Sequence, residues 1–162
     1  MKKILNLLVL FGLFSKSSAQ TQWQPSTYQK VPEIIDCTIG DIAVSRAFPQ
    51  PHIRYCPANA VALNSMFPGA GHFYYVHEYG HILNGASEEI ADLFAAQELA
   101  KISGAFFYIN AMLSHLYFRS SSGEGRAPGY GTPAERAERI RNGALNANSK
   151  LKLNPQSLLL YE

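Results

Sequence analysis

The sequence predicts a mainly α fold with a small β element, an α+β chain of one domain, and three observations carry that reading. Apolar residues recur at helical spacing through most of residues 72–145. The interruptions fall at helix punctuation: Asn84-Gly85 ahead of Ser87, then Gly104, then Thr132-Pro133 with Glu135 behind them. Only two short apolar stretches, 38–48 and 52–56, have the length and composition of strands.

Taken in order, the chain opens with a targeting signal. Lys2 and Lys3 form a basic start, Ile4 to Phe14 an apolar stretch, and Ser17-Ser18-Ala19 a small-residue cleavage site. A signal peptide is therefore expected over residues 1–19, with a mature domain over 20–162 that is secreted or periplasmic. The apolar stretch is too short to span a bilayer comfortably, so no membrane association is expected after cleavage. Residues 20–35, rich in Gln, Pro, Thr and Ser, read as an arm with little core content. Pro51 and Pro57 bracket 52–56 and suggest an edge strand.

Helices follow. A turn or two is expected over 58–66, then a helix from His72 to Leu83 that Asn84-Gly85 ends. Ser87 supplies a side-chain oxygen to cap a helix from Glu88 to about Ser103, whose first-turn acids Glu88 and Glu89 suit the helix dipole. A third, strongly apolar helix is expected from Ala105 to Phe118, followed by a Gly/Ser-rich loop over 120–131. Thr132, Pro133 and Glu135 spell a capping box that starts a helix running to about Leu145.

The chain has 14 basic and 12 acidic residues; loss of Lys2, Lys3 and Lys16 with the leader leaves 11 against 12, net −1. That balance gives no support to a nucleic-acid partner. Arg136, Arg139 and Arg141 alternate with Glu135 and Glu138 and read as a solvated helix face rather than a phosphate-binding patch. In an oxidising compartment the two cysteines, Cys37 and Cys56, are expected to pair as a disulfide, with two buried thiols as the alternative.

The chemistry-bearing stretch is "YVHEYGHILNGASEEIADLFAA", residues 75–96. His77 and His81 are four apart, so on a helix they stand one above the other and can both turn ring nitrogens toward one metal ion. Glu78 lies about 100° around the helix, placed to reach a water on that ion as general base. Phe73, Val76, Ile82 and Leu83 make the surroundings apolar, where two histidines and a glutamate are costly unless they bind something. A catalytic zinc needs a third protein ligand and one open position. Glu88 is assigned that place, with Glu89 as the substitute if the turn is rotated. Asp92, one turn deeper, is expected to orient a ligating histidine from behind.

H-E-x-x-H at His77–His81 followed by E-x-x-A-D at Glu88–Asp92 resembles the pattern of gluzincin-type zinc metallopeptidases. "YGTPAERAERIRNG", residues 130–143, is similar to a segment of the putative neutral zinc metallopeptidases, matching at Gly131, Thr132, Arg136 and Gly143. The resemblance implies a zincin-like fold with the H-E-x-x-H helix packed on the E-x-x-A-D helix, and Zn2+ held by His77, His81 and Glu88. It also implies Glu78 as general base and Asp92 as a supporting carboxylate. Tyr130 stands where the second segment usually has histidine; it is a candidate hydrogen-bond donor to an oxyanion, or a packing residue. Arg136 is expected to tie its helix to the active-site helices. Only six residues separate His81 from Glu88, short for a gluzincin, so a tight turn is required.

The expected function is hydrolysis of a peptide or protein substrate by metal-activated water, with the peptide laid along the edge strand over 52–56. A zinc-stabilised binding or structural protein that cleaves nothing is the rival, and hydrolysis of a non-peptide amide is a third reading.

Overall fold

The structure is a computed structural model that describes residues 31–154 of the chain. The expected leader over 1–19, its cleavage at Gln20 and the tail beyond 154 lie outside the described residues. Among the described residues the fold is mainly helical, with five α-helices and one three-stranded sheet.

The strands are β1 (Glu33–Ile35), β2 (Ala43–Arg46) and β3 (His52–Tyr55), in the order β1-β3-β2. β1 runs parallel to β3 and β2 antiparallel to it. This corrects two expectations. Residues 33–35 are not part of an arm: they form a strand, and Val31 just before them is buried in the core. The stretch over 52–56 is not an edge but the sheet's centre, because Pro51 and Pro57 fall outside β3 and leave every ladder N–H of residues 52–55 in place. The strand expected over 38–48 shrinks to β2, preceded by a short 3-10 turn over Cys37–Ile39. Cys37 and Cys56 form a disulfide that pins that turn to the end of β3. Closing a loop of 19 residues restricts the unfolded chain and contributes roughly 3 kcal/mol in the chain-entropy account.

The helices are α1 (Pro57–Met66), α2 (Ala70–Asn84), α3 (Glu88–Ala100), α4 (Phe106–Ser121) and α5 (Pro133–Ala147). Thr132 accepts from the Glu135 N–H while the Glu135 carboxylate accepts from the Thr132 N–H, the reciprocal cap that starts α5. Phe73, Val76 and Tyr79 of α2, Leu99 of α3, Ile109, Met112, Leu113 and Leu116 of α4, and Ile140 of α5 form the core, with Ile53 of β3 beneath them. No helix among the described residues is long and apolar enough to cross a membrane.

Small residues let the helices that carry the candidate ligands approach closely. A Cβ on Gly80 would stand 3.1 Å from the Ala91 Cα, so α2 meets α3 backbone to backbone at this level. Gly143 does the same for α5, where a Cβ would press to 2.9 Å from Leu93 Cδ2. A larger residue at Gly80 would press on the α3 backbone at Ala91, whereas at Gly143 it would first displace the Leu93 side chain.

Two histidines inside this frame are held neutral chiefly by burial. Burial holds His72 and His115 down to a pKa of about 4, from an ordinary 6.5. Both are depressed in the folded protein, so the unfolded chain takes up the extra protons and stability falls as pH drops from 6.5 toward 4. Each contributes a slope of up to about 1.4 kcal/mol per pH unit. Urea unfolding at pH 6 and at pH 4.5 checks this: the midpoint should fall, and His115→Gln should reduce the fall.

Candidate metal centre

α2 carries the first three residues of the cluster and ends at a tight turn. Gly85 adopts φ +91°, a conformation open to glycine, and its N–H returns to the His81 carbonyl. Ser87 then accepts from the Ile90 N–H and starts α3. The chain therefore reverses within Gly85–Ser87, which sets the first turn of α3 against the last turn of α2.

That reversal places the Glu88 carboxylate at the histidines. Glu88 Oε2 lies 3.0 Å from His77 Nε2 and 3.2 Å from His81 Nε2, and the two Nε2 atoms are 3.1 Å apart. Donor atoms of His77, Glu78 and His81 all lie within 4.8 Å of one another, so this group could hold a metal ion. Glu89 lies elsewhere, lining a separate cavity with Arg126, Gly129 and Arg139.

The Nδ1 side of each ring is occupied from behind. His81 Nδ1 is 3.0 Å from the Gly85 carbonyl oxygen and donates to it, which leaves its Nε2 lone pair turned toward the cluster. His77 Nδ1 lies 3.0 Å from Asp92 Oδ1, in charge contact but with the N–H off the line of the oxygen. Both rings thus point the same nitrogen inward. Atoms bound at about 2.0–2.2 Å to a tetrahedral ion stand roughly 3.3–3.5 Å from one another. The observed triangle is a few tenths of an ångström tighter, within the reach of small side-chain rotations, and the donor set fits such an ion.

Asp92 is fully buried and is the centre of a charge network. Arg136 grips it with both ends of the fork, Nε at 3.0 Å and Nη2 at 2.7 Å, and Arg139 Nη2 adds a third bond at 3.0 Å. The same Arg139 Nη2 donates to the Tyr130 carbonyl at 3.0 Å. The expectation of a solvated Arg136, Arg139, Arg141 face is therefore corrected. Arg136 and Arg139 turn inward because a buried carboxylate needs compensating charge, while Arg141 stays exposed. Arg136 does tie α5 to the ligand-bearing helices, through Asp92.

Electrostatics follow from these contacts. Burial alone would raise the Asp92 pKa, but His77 and Arg136 outweigh it and hold the carboxyl well below its usual range. For His77, burial pulls down while Asp92 and Glu88 pull up, and the carboxylates win, raising it to about 9. Burial raises and the His77 contact lowers the Glu88 pKa, with a net fall. The Tyr130 hydroxyl is pushed well above 10 by burial and then by the nearby Glu88 charge.

The cluster opens onto a cavity of about 340 Å³ whose lining includes Glu78, His81, Glu88, Tyr130 and the whole of β2's Ala43–Arg46. Glu78 Oε2 accepts a hydrogen bond of 2.8 Å from the Ser45 N–H. Strand alternation puts the main-chain groups of Ala43 and Ser45 on the side of β2 away from β3. The free sheet edge beside the cluster is β2. Sequence reasoning missed this contact and the role of Arg139. For β2, the pairing of β1 with β3 had to be known first. For Arg139, the sign was present: it follows Arg136 by three residues and so shares its helix face.

No protein-family model, no curated protein and no solved structure matches this chain.

Asp92→Asn tests the network. It leaves two buried or half-buried guanidiniums without their counter-charge, so stability should fall by about 3–5 kcal/mol. Zinc affinity, measured by chelator competition on the folded fraction, should fall 10- to 100-fold. A loss under about 1 kcal/mol with unchanged zinc affinity contradicts the role given to Asp92.

Proposed function

We propose that this chain is an extracytoplasmic zinc metallopeptidase of gluzincin type. The observation that carries the reading is the triangle of His77 Nε2, His81 Nε2 and Glu88 Oε2, facing a cavity that Glu78 also lines. His77, His81 and Glu88 would hold the ion. Bound there, zinc supplies an acidified water, with a pKa near 7, and a Lewis acid for a peptide carbonyl. The disulfide and the lack of a membrane-length helix among the described residues suit an exported domain.

The chain's own groups divide the remaining work. Glu78 takes the proton of the attacking water and returns it to the leaving amine. The Ser45 N–H holds one carboxylate oxygen of Glu78 and so fixes the direction from which it acts. Tyr130 donates from its hydroxyl to the oxygen that becomes negative when the carbonyl is attacked. Its ring is backed by the Arg136 guanidinium at 4.9 Å, and its carbonyl is held by Arg139. The peptide backbone lies extended along β2, where the outward main-chain groups of Ala43 and the carbonyl of Ser45, whose N–H is held by Glu78, accept it as an added strand. β2 replaces the 52–56 segment in this role because β3 has both of its edges paired.

A purified sample of the protein should hold one zinc, and Glu78→Gln should keep that zinc while lowering kcat on a peptide library by about a thousandfold. Metal retained with no turnover by either protein would instead favour the zinc-stabilised binding module. A lack of stoichiometric zinc in both would overturn the metal assignment.

A further inference from the structure

A second cavity, of about 430 Å³, lies away from the metal centre and has a different chemistry. It is lined by Glu33 of β1, Tyr55 of β3, His72 and Tyr75 of α2, Tyr108 of α4 and the Asn64–Gly71 turn region between α1 and α2. On α2, His72 and Tyr75 stand roughly 140–160° around the axis from His77, so the helix separates the two sites.

Glu33 is the unexpected member. In the parallel pairing it lies opposite Ile53, and β1's Ile35 lies opposite Tyr55. Paired residues of neighbouring strands share a face, so Glu33 stands on the side of the sheet where Ile53 is fully buried against the helices. At β1 that face is open to solvent, so Glu33 stays exposed and charged at the rim of the cavity. Its carboxylate lines the cavity together with Tyr75, and its charge adds to burial in raising the Tyr75 pKa.

The rest of the lining carries rings and no positive charge. Tyr55 and Tyr75 meet at right angles with centroids 6.1 Å apart, and His72 lies 6.5 Å from Tyr75 with its plane nearly parallel. Tyr108 closes on His72 at 4.3 Å. Burial holds His72 at a pKa of about 4, so it is neutral near pH 7, and it pushes Tyr75 up to about 12, so that phenol stays protonated. Among the described lining residues, the sole formal charge is the Glu33 carboxylate. Asn64 is turned to its own backbone, accepting from the Gly69 and Gly71 N–H groups.

Aromatic faces attract cations through their quadrupoles, and the attraction strengthens when the site is partly withdrawn from water. Three tyrosines and a neutral histidine beside one carboxylate therefore complement an organic ammonium: the rings take the alkyl groups around the nitrogen, and Glu33 takes the charge. Bare metal ions are a poor match, since one carboxylate and phenol hydroxyls offer few hard ligands. We propose that this aromatic cavity is a binding site for an organic ammonium group, distinct from the metal centre.

Choline and its neutral isostere 3,3-dimethylbutan-1-ol are the probes, titrated into the purified protein at constant ionic strength and followed by amide chemical shifts. Choline should saturate, with shifts confined to residues around Glu33, Tyr55, Tyr75 and Tyr108, and the isostere should bind at least tenfold more weakly. Glu33→Gln should weaken choline about tenfold, leave the isostere unchanged and leave zinc content unchanged. Tyr75→Phe, which keeps the ring, should stay within a few-fold of wild type, whereas Tyr75→Leu should abolish saturation. Equal binding of choline and isostere, no saturable shift, or an unaffected Glu33→Gln would each overturn the proposal. Because Glu33 is an exposed residue, its variant remains informative even where Tyr75→Leu fails to fold.

Discussion

The structure is organised around one buried carboxylate. Asp92 has no exposed surface, yet three side chains from two other helices converge on it: His77 from α2, and Arg136 and Arg139 from α5. A lone charge at that depth would cost several kcal/mol, and the guanidiniums and the imidazole offset that cost only if all three helices hold their places. The network therefore acts less as a source of stability than as a demand for one arrangement. Meeting that demand fixes the His77 ring, brings α5 against α3, and through the second bond of Arg139 positions the loop that carries Tyr130.

The close approach of the helices makes this possible. Gly80 against Ala91 removes the side-chain layer that would otherwise separate α2 from α3, and Gly143 makes room on α5 for the Leu93 side chain of α3. The short Gly85–Ser87 reversal then converts proximity into convergence, because it brings Glu88 to the same side as His77 and His81. Residues that sit seven and eleven positions apart in sequence become neighbours at about 3 Å. A longer connection would not forbid this geometry, but it would no longer impose it.

What the sequence made legible was what is local. The four-residue spacing of His77 and His81, the Ser87 and Thr132 caps and the Gly85 stop are each written within a turn or two, and the helices begin where those signals stand. Strand order was not local. β1 joins β3 in parallel across an intervening strand, so nothing in residues 33–35 or 52–55 announces their partnership, and bracketing prolines suggested an edge where a centre lies. The inward arginines were concealed by their alternation with acids. Yet Arg136 shares a helix stripe with Ala137, Ile140 and Ala144, all buried, which is a signal that charge on that face has an interior partner. Glu33 was hidden for the same reason as β1: only the register shows which face it occupies.

The account turns on whether one ion is shared by α2 and α3. The most direct measurement is crystallographic, with anomalous difference maps collected on both sides of the zinc absorption edge from protein loaded with one equivalent of zinc. The account predicts a single peak within about 2.0–2.2 Å of His77 Nε2, His81 Nε2 and a Glu88 oxygen. A peak bound by the histidines while Glu88 stands away, or a peak at other residues altogether, would contradict it.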